Sequence, residues 1–358
     1  MASGHTLPTA VIPAAFSAAV KAAARGPLGA NPRVGAVLVG PTGQTLATGC
    51  HRGAGTPHAE ADALSHAREA GHDLAGATCV VTLEPCAHDG RTPSCARALI
   101  DAGVARVLYA LDDPNALAAG GARMLRKAGI QALLWADSGV EEAAHWTHQA
   151  EKLNHRWLRA VREQRPFVTA KIAHTLDAKV AAADGSSQWI TGEAARAEGH
   201  ALRAIVDAIA VGTGTLMVDD PSLTARTPDG SALATQPLRV VLGERDVPPS
   251  AAVRGHDSRF VHLPTRDLPG ALRRLRTDHD VQHLLIEGGP TLIGAALTAD
   301  LVDDLWIHQA PSLLGAGTPS VPGLGITSLD ARIDLEIVPE SIHLAGRDLL
   351  FHATPRHP

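Results

Sequence analysis

The sequence has few aromatic residues, few cysteines and no long apolar run. Phe, Trp and Tyr make up only 3% of its 358 residues, so aliphatic side chains have to build the cores. No apolar stretch reaches the roughly 18 residues of a membrane span. The apolar stretch near the start follows no charged leader, which favours a helix over a signal peptide. We therefore expect a cytoplasmic protein, in which four cysteines are more typical of thiols or metal ligands than of disulfides.

A basic stretch is also missing. The formal net charge is −5, and no run of Lys and Arg is present that could neutralise a nucleic-acid backbone. The scarcity of aromatic residues removes the platforms on which unpaired bases stack. The composition, with 45% hydrophobic and 19% charged residues, is typical of a soluble globular protein. These observations argue against a nucleic-acid or membrane partner.

The length and the alternation of strand-like and helix-like runs predict two α/β domains. In the first part, "VGAVLVG" and "TCVVTLEP" predict strands, and "HAEADALSHAREAG" and "SCARALIDAG" predict helices. A second alternating series begins at "FVTAKIA", after a polar helical stretch. We therefore predict one domain over residues 1–145, a helical connector over 146–165 and a second domain over 166–358.

The first part of the chain contains His58, Glu60, Cys86 and Cys95 in a metal-binding pattern. Two thiolates and one imidazole supply three ligands for Zn²⁺ and leave a fourth position open to water. Zinc lowers the pKa of that water towards neutrality, and a carboxylate two residues after the His ligand could transfer protons. The pattern is the signature of zinc nucleobase deaminases. We predict His58, Cys86 and Cys95 as metal ligands and Glu60 as the catalytic residue.

The alternative is a closed structural zinc site. Such a site needs a fourth ligand, and the nearby candidates are His51, His66, Cys79 and His88. However, Cys86 and Cys95 are too far apart for a C-x-x-C knuckle, and Cys79 lies inside an apolar strand, where free cysteine is usually a core residue. Glu60 would have no purpose in a structural site. The pattern therefore favours catalysis.

Two glycine-containing runs mark the second part. In "LLIEGGPTLIGAAL", Gly288 and Gly289 separate a predicted strand from a predicted helix and would let backbone amides approach a phosphate. The run "AIAVGTGTLMVDDPSLTAR" does not complete G-x-G-x-x-G, and no acidic ribose anchor follows, which argues against a Rossmann domain. Taken singly, each run is more typical of a tight turn that needs glycine.

Several longer stretches carry a family resemblance. "NPRVGAVLV", "GCHRGAGTPHAEADAL" and "EPCAHDGRTPSC" resemble the N-terminal half of the bifunctional riboflavin-biosynthesis deaminase/reductase, including the long spacing between the two cysteines. The two glycine-containing runs and "KIAHTLDAKVAAADGSSQWITG" resemble its reductase half, in the same order. The resemblance implies an α/β protein with an N-terminal cytidine-deaminase-like α/β/α domain and a C-terminal dihydrofolate-reductase-like α/β domain.

The resemblance also implies two activities, one of a hydrolase and one of an oxidoreductase. The first is zinc-dependent deamination of 2,5-diamino-6-ribosylamino-4(3H)-pyrimidinone 5′-phosphate. The second is NADPH-dependent reduction of the ribosyl side chain of 5-amino-6-(5-phosphoribosylamino)uracil to ribityl. A homodimer or homotetramer is expected in this family. The alternatives are a deaminase of another nucleobase whose C-terminal half serves only assembly, a nucleic-acid editor and a non-catalytic zinc scaffold.

The resemblance implies roles for residues that spacing alone does not single out. In the deaminase half it implies substrate contacts for Asn31, Pro32, Val34, His51, His88 and Thr92. In the reductase half it implies substrate contacts for Lys171, Asp177, Ser187, Arg203, Leu223, Arg226 and Glu287, the two arginines binding the 5′-phosphate. It implies NADPH contacts for Ala173, Trp189, Thr215, Asp219, Gly289, Pro290, Thr291, Leu292, Ile293, Gly294 and Ala295.

Two positions depart from the family pattern. The chain has "TLDA" where the family usually has S-L-D-G, so Ala178 stands at a glycine position. If that position needs a positive φ, Ala178 strains the turn. The "DPN" turn is followed by Ala116 and not by the usual proline. Neither departure falls on a predicted metal ligand or phosphate anchor, so we expect both activities.

Overall fold

The computed structural model describes residues 11–29, 31–53, 55–88, 93–227 and 230–356. The chain divides into two compact units, Met1–Glu163 and Gln164–Pro358. Each unit is an α/β fold with its own apolar core. Within the described ranges, no helix combines the length and the apolar character needed to cross a membrane.

The first unit is built on a five-stranded sheet. Its elements are α1 (Val11–Ala23), β1 (Gly35–Val39), β2 (Thr45–Cys50), α2 (Ala59–Glu69), β3 (Thr78–Val81), α3 (Cys95–Asp101), β4 (Arg106–Tyr109), α4 (Gly121–Lys127), β5 (Gln131–Leu134) and α5 (Ala143–Glu163). The strand order is β2-β1-β3-β4-β5. β1 pairs antiparallel with β2 and β3, and β3, β4 and β5 run parallel. Every residue of β1 and β3 is buried, as expected for central strands covered on both faces.

α5 corresponds to the predicted connector but belongs to the first unit. It begins at Ala143, and its apolar stripe, which includes Ala150, Trp157 and Val161, is buried in the core of that unit. Within the same stripe, Asn154 accepts a hydrogen bond from the Arg33 backbone N–H and donates one to the Arg33 carbonyl. The helix is therefore amphipathic, with one buried apolar face and one polar face. In the sequence, its many charged residues make the buried face hard to recognise.

The second unit contains a larger, mostly parallel sheet. Its elements are β6 (Phe167–Thr175), β7 (Lys179–Ala182), α6 (Glu193–Arg203), β8 (Ala208–Gly212), α7 (Thr213–Asp219), β9 (Leu238–Leu242), β10 (Phe260–Leu263), α8 (Leu268–His279), β11 (His283–Glu287), α9 (Pro290–Thr298), β12 (Asp304–Ala310), β13 (Gly317–Pro319), β14 (Asp334–Ile337), β15 (His343–Ala345) and β16 (Asp348–Arg356). The strand order is β10-β9-β8-β11-β6-β12-β16-β14, and β15 also pairs with β16. The first six strands in this order, β10, β9, β8, β11, β6 and β12, are parallel to one another. β16 is antiparallel to its neighbours. β7 and β13 form a separate antiparallel pair.

The parallel strands bring chemically useful residues to one edge of the sheet. β11 lies between β6 and β8, and Glu287 at its end is in register with Lys171 of β6. Gly212 ends β8 at the same edge. Ligands of open α/β sheets bind beyond the carboxyl ends of the strands. This edge is therefore where the site of the second unit is expected.

Ala178 adopts the left-handed conformation. Its φ is +57° in the turn between β6 and β7. Of the two possibilities that the sequence left open, the structure shows the strained one, because a Cβ atom is unfavourable at this φ. The turn is held by hydrogen bonds from its own side chains, including that from the Thr175 hydroxyl to the Asp177 carboxylate.

Candidate active sites

The first unit brings His58, Cys86 and Cys95 together. His58 is the N-cap of α2, and Cys95 is the first residue of α3, which Ser94 caps by accepting the Arg97 N–H. His58 Nδ1 lies 3.7 Å from Cys86 Sγ and 3.4 Å from Cys95 Sγ. The three candidate ligand atoms all lie within 4.8 Å of one another.

This group of three atoms has the dimensions of a zinc site. Tetrahedral bonds of about 2.3 Å to sulfur and about 2.0 Å to nitrogen place those atoms about 3.5 Å apart, and the two measured S···N distances of 3.7 and 3.4 Å bracket that value. Among the described residues, no fourth His, Cys, Asp or Glu meets the same distance limit. The donor set therefore fits zinc with one open coordination position, and not a closed structural site.

The surroundings favour a thiolate in the group. The Cys95 backbone N–H, at the start of α3, donates to Cys86 Sγ over 3.3 Å. A hydrogen bond from the Cys95 thiol, together with His58, lowers the pKa of Cys86, while the same partnership raises the pKa of Cys95. One sulfur is thus ready to bind a cation before any metal is present.

Glu60 lies in the first turn of α2, beside the metal group but not part of it. Its side chain is buried, with the residue 3% exposed, and this burial raises the pKa of the carboxyl to about 7. A carboxyl of that pKa can both accept and donate a proton near neutral pH. This environment supports proton transfer by Glu60, and its predicted catalytic role stays a prediction.

His51 is held against His58. The two imidazole rings meet edge to face with their centroids 5.4 Å apart, and His51 Nδ1 lies 3.1 Å from the Pro57 carbonyl oxygen. The residues on either side of His51 both bind one carboxylate: the Cys50 N–H donates to Asp62 over 3.0 Å, and the Arg52 guanidinium donates to it over 2.7 Å. Burial lowers the pKa of His51, which favours a neutral ring.

An acidic pair near the metal group was missed by the sequence reasoning, which treated "DPN" only as a turn. Burial raises the pKa of Asp113 to about 6, and the Asp113 carboxylate acts electrostatically on His58. Glu84 supports it, accepting the backbone N–H of Asp113 at 3.4 Å and that of Ala122 at 2.9 Å. The sequence offers no pattern that distinguishes the half-buried Asp113 from the adjacent, exposed Asp112.

The second unit contains a cavity of about 610 Å³ at the expected edge of its sheet. Its wall is formed by the middle of β6, the ends of β8 and β11, parts of β7 and β13, α7, the start of α9 and the segment before α6. Gly288 and Gly289 have φ values of +84° and +79°, and a Cβ atom on Gly289 would lie 2.8 Å from Thr215 Oγ1. Both glycines therefore stand where a side chain would be strained or crowded, and their predicted approach to a phosphate stays a prediction.

Two charged side chains, Lys171 and Glu287, line this cavity, and Arg203 binds Glu287 from outside it. Glu287 accepts a hydrogen bond of 2.6 Å from Arg203 Nε, and its other oxygen lies 3.8 Å from Lys171 Nζ. Burial alone would raise the pKa of Glu287, but Arg203 and Lys171 hold it below its usual value. Burial lowers the pKa of Lys171, which Glu287 partly opposes. The result is an ammonium group that releases its proton more easily than an exposed lysine does.

Comparisons with known proteins match a family model to each part of the chain. Residues 12–111 match the cytidine and deoxycytidylate deaminase zinc-binding region, and residues 166–350 match the RibD C-terminal domain. The riboflavin biosynthesis protein RibD of Mycobacterium tuberculosis is 45% identical over 328 residues, which are 91% of this chain and 91% of that protein. The chain belongs to the RibD family.

Two solved structures of this family extend the similarity to the whole fold. RibD of Acinetobacter baumannii is 32% identical with a TM-score of 0.84, and the match covers 97% of this chain and 99% of that one. The diaminohydroxyphosphoribosylaminopyrimidine deaminase/5-amino-6-(5-phosphoribosylamino)uracil reductase of Thermotoga maritima is 30% identical with a TM-score of 0.81, covering 97% and 99%.

Membership of the RibD family confirms the main predictions. The chain is a bifunctional enzyme of riboflavin biosynthesis, with a zinc-binding deaminase domain and an NADPH-dependent reductase domain. The N-terminal domain has the cytidine-deaminase-like fold, and the C-terminal domain has the dihydrofolate-reductase-like fold. The enzyme is both a hydrolase and an oxidoreductase.

Most of the predicted reductase residues line the cavity. They are Lys171, Ala173, Ser187, Trp189, Thr215, Asp219, Glu287, Gly289, Pro290, Thr291, Leu292 and Ile293. Arg196 also lines it, although the sequence reasoning did not select it. Its guanidinium lies 4.6 Å above the centroid of the Trp189 ring, a cation–π distance. In the sequence, the only indication of a role for Arg196 is its place seven positions after Trp189.

Six predicted residues do not line this cavity, four of which are Asp177, Leu223, Gly294 and Ala295. The Asp177 carboxylate accepts the backbone N–H groups of Leu314 and Gly315, which accounts for it as a turn residue. Leu223 is buried in an apolar cluster, and Ala295 is exposed on α9. Gly294 faces the Pro322 carbonyl oxygen, which would lie 2.3 Å from an added Cβ. The roles predicted for these four residues stay predictions.

The two predicted phosphate-binding arginines converge on Thr224, outside the cavity wall. Arg203 Nη1 donates to the Thr224 carbonyl over 3.2 Å, and Arg226 Nε lies 3.2 Å from its hydroxyl oxygen. Arg226 is exposed and also donates to the Gly230 carbonyl. Both guanidinium groups therefore contact Thr224, and that of Arg203 also binds Glu287.

The remaining residues predicted to bind the deaminase substrate differ in burial. Asn31 and Pro32 are half-buried and Val34 is buried, in the segment that Asn154 holds through Arg33. His88 is exposed. Thr92 lies outside the described residues. Their predicted substrate contacts stay predictions.

Proposed function

We propose that the first unit deaminates diaminohydroxyphosphoribosylaminopyrimidine and that the second unit reduces 5-amino-6-(5-phosphoribosylamino)uracil, the compounds after which the Thermotoga maritima relative is named. The observation that carries the first half is the three-ligand group with an open position beside the buried carboxyl of Glu60. The cavity that joins Lys171 to the glycine turn at Gly288 and Gly289 carries the second half.

In the first reaction, Glu60 moves the protons. Zinc held by His58, Cys86 and Cys95 supplies, when bound, a cation that makes water acidic and activates it as a nucleophile. Glu60 accepts a proton from the attacking water and passes it to the leaving amine, since it is a buried carboxyl beside the ligand group. A carbon–oxygen bond forms, a carbon–nitrogen bond breaks and ammonia leaves. We assign to His51, beside His58, the binding of the pyrimidine.

In the second reaction, Lys171 supplies a proton while hydride reaches C1′ of the ribosyl group. NADPH supplies that hydride when it is bound. We propose that the ammonium of Lys171 protonates the sugar oxygen released as the ring opens, because its lowered pKa makes it a better acid. Glu287 holds Lys171 in place, and Arg203 and Arg226 bind the 5′-phosphate. Ser187 contributes to the same substrate pocket and Trp189 to the cofactor pocket.

The experiment that tests this function is incubation of the purified enzyme with the diaminopyrimidine phosphate, with and without NADPH. Without NADPH we expect ammonia and the deaminated pyrimidine only. With NADPH we expect the ribityl product and one NADPH oxidised per molecule. Deamination without any NADPH oxidation would contradict the proposed reductase and favour a C-terminal half that serves only assembly.

We also propose that the enzyme is a homo-oligomer, a dimer or a tetramer. Every residue of β14 is exposed at the edge of the large sheet, and Leu335 and Ile337 on it are each 45% exposed. Leu344 on the neighbouring β15 is 69% exposed. A second copy of the chain would cover this strip. Light scattering on a size-exclusion column should give at least twice the monomer mass, and Leu335→Glu should reduce it; a monomeric wild type would contradict the proposal.

A cytoplasmic location is our proposal as well. The structure has four free cysteines, two of which are predicted metal ligands that must stay reduced. Reducing compartments keep such thiols free of disulfides. Recovery of the deaminase activity in an exported fraction, and not in the cytoplasmic fraction of the source cells, would contradict this location.

A further inference from the structure

The N-terminus of α6 is held by a residue from the other end of the second unit. Gly192 is the N-cap of α6, and with no side chain it cannot accept any of the unpaired N–H groups of the first turn. The N–H of Gly192 itself donates to Asp348 Oδ2 over 2.6 Å, across 156 positions of sequence. Asp348 is the first residue of β16 and is 0% exposed.

The contact between Gly192 and Asp348 is too close for a larger residue at position 192. A Cβ atom on Gly192 would lie 3.3 Å from Asp348 Oδ2, closer than most Cβ contacts in proteins. Within the described part of the chain, Asp348 Oδ1 has no hydrogen-bond partner. Burying a carboxylate with one unpaired oxygen is unfavourable for stability.

The segment around Gly192 is a wall of the cavity. Thr191 and Trp189 precede it and Arg196 follows it, and all three line the cavity. Arg196 links α6 to the segment that precedes Gly192, because its guanidinium stacks over the Trp189 ring and donates to the Thr191 carbonyl over 2.8 Å. Trp189 is 70% exposed, so few other contacts fix its ring. The position of Trp189 therefore depends on where Gly192 is held.

We propose that Asp348 is a positioning residue for NADPH: by accepting the Gly192 N–H, it sets Trp189 and Arg196 as one wall of the cofactor pocket. The inference rests on the proposed function, which assigns this cavity to NADPH. Asp348 does not line the cavity and touches neither substrate nor cofactor. Its effect is expected on cofactor binding and not on the chemical step.

The test compares Asp348→Ala and Asp348→Asn with the wild-type full-length enzyme. Asp348→Ala should raise the KM for NADPH about tenfold, the effect of losing a helix-capping hydrogen bond, with kcat little changed. Asn keeps an oxygen acceptor, so Asp348→Asn should retain a KM within about twofold of the wild type. Hydrogen exchange should become faster over 187–196 in the Ala variant only. The kcat at saturating NADPH, a property of the second unit in which both substitutions lie, reports on the integrity of each preparation.

Asp207→Ala is the matched control. The Asp207 carboxylate also accepts backbone N–H groups, those of Gln282 and His283, but at the other end of the strands from the cavity. This variant should lose stability without a change in the KM for NADPH. An unchanged KM and unchanged exchange in Asp348→Ala, or an equal rise in the Asn variant, would overturn the positioning role. Absence of NADPH turnover in the wild type would instead overturn the proposed function, and the inference with it.

Discussion

His58 Nδ1 lies 3.4 Å from Cys95 Sγ, although the two residues are 37 positions apart in the sequence. The N-terminal ends of two helices produce this contact: His58 caps α2, and Cys95 is the first residue of α3. Cys86 joins them from the loop that follows β3, and its sulfur accepts the first amide of α3. The ligands are therefore fixed by the ends of rigid elements, a suitable arrangement for a catalytic metal.

Cys95→Ser should remove both bound zinc and deaminase activity. Hydroxyl oxygen is a poor replacement for a thiolate ligand, and only two protein ligands would remain. Metal analysis and ammonia release measure the two losses. Reduction of the deaminated substrate by NADPH should persist, because the second unit has its own core and its own cavity. Cys79→Ser, in the buried strand β3, is the control that should retain zinc.

Glu60→Gln should retain zinc but lose deamination. The amide cannot accept and return a proton, so we expect kcat to fall by about 10²- to 10⁴-fold. The metal content should equal that of the wild type, because Glu60 is not among the three clustered ligands. A variant that loses its zinc together with its activity would contradict the separate role of this carboxyl.

Ala178→Gly should stabilise the second unit. Ala178 has a φ of +57°, and relief of the left-handed strain is worth about 1 kcal/mol. The midpoint of urea unfolding of the second unit should rise, with both activities unchanged. Ala201→Gly, at an exposed position inside α6, is the control. It should destabilise by about 1 kcal/mol, because glycine is unfavourable in a helix.

The stability of the second unit should fall in mild acid because of His308. Burial lowers the pKa of this histidine to about 3, helped by the charge of Lys171 and by His352, and opposed by Glu287. The unfolded chain therefore takes up a proton near pH 6.5 that the folded chain does not accept until about pH 3. The stabilising effect is complete above pH 6.5 and is progressively lost as the pH falls towards 3.

Thermal unfolding between pH 7 and pH 5 measures this effect. The predicted loss at pH 5 is about 2 kcal/mol, since each pH unit below 6.5 costs up to about 1.4 kcal/mol. His308→Gln should be less stable at pH 7 but should depend less on pH over this range. An equal pH dependence in both proteins would show that His308 titrates normally in the folded state.

The metal-ligand group and the central strands could be predicted from the sequence, whereas the edge strands and the long-range side-chain contacts could not. The metal group followed from residue types that have few other uses together, and the central strands β1, β3, β8 and β11 followed from their apolar runs. The strands β14 and β15 were not predicted, because "DLEI" and "HLA" are exposed or short and have no apolar face to mark them. Pairings over long separations, such as Arg203 with Glu287 and Gly192 with Asp348, depend on the folded sheet and have no local signal.

The central claim is that one chain carries two independent sites for successive reactions. The most direct measurement uses Glu60→Gln and Lys171→Met, each incubated alone and then mixed, with the diaminopyrimidine phosphate and NADPH. Alone, the first variant should yield no product, and the second should stop at the deaminated pyrimidine. The mixture should form the ribityl product, because each variant supplies the site that the other lacks. A mixture that releases ammonia but oxidises no NADPH, although the wild type does both, would contradict the account.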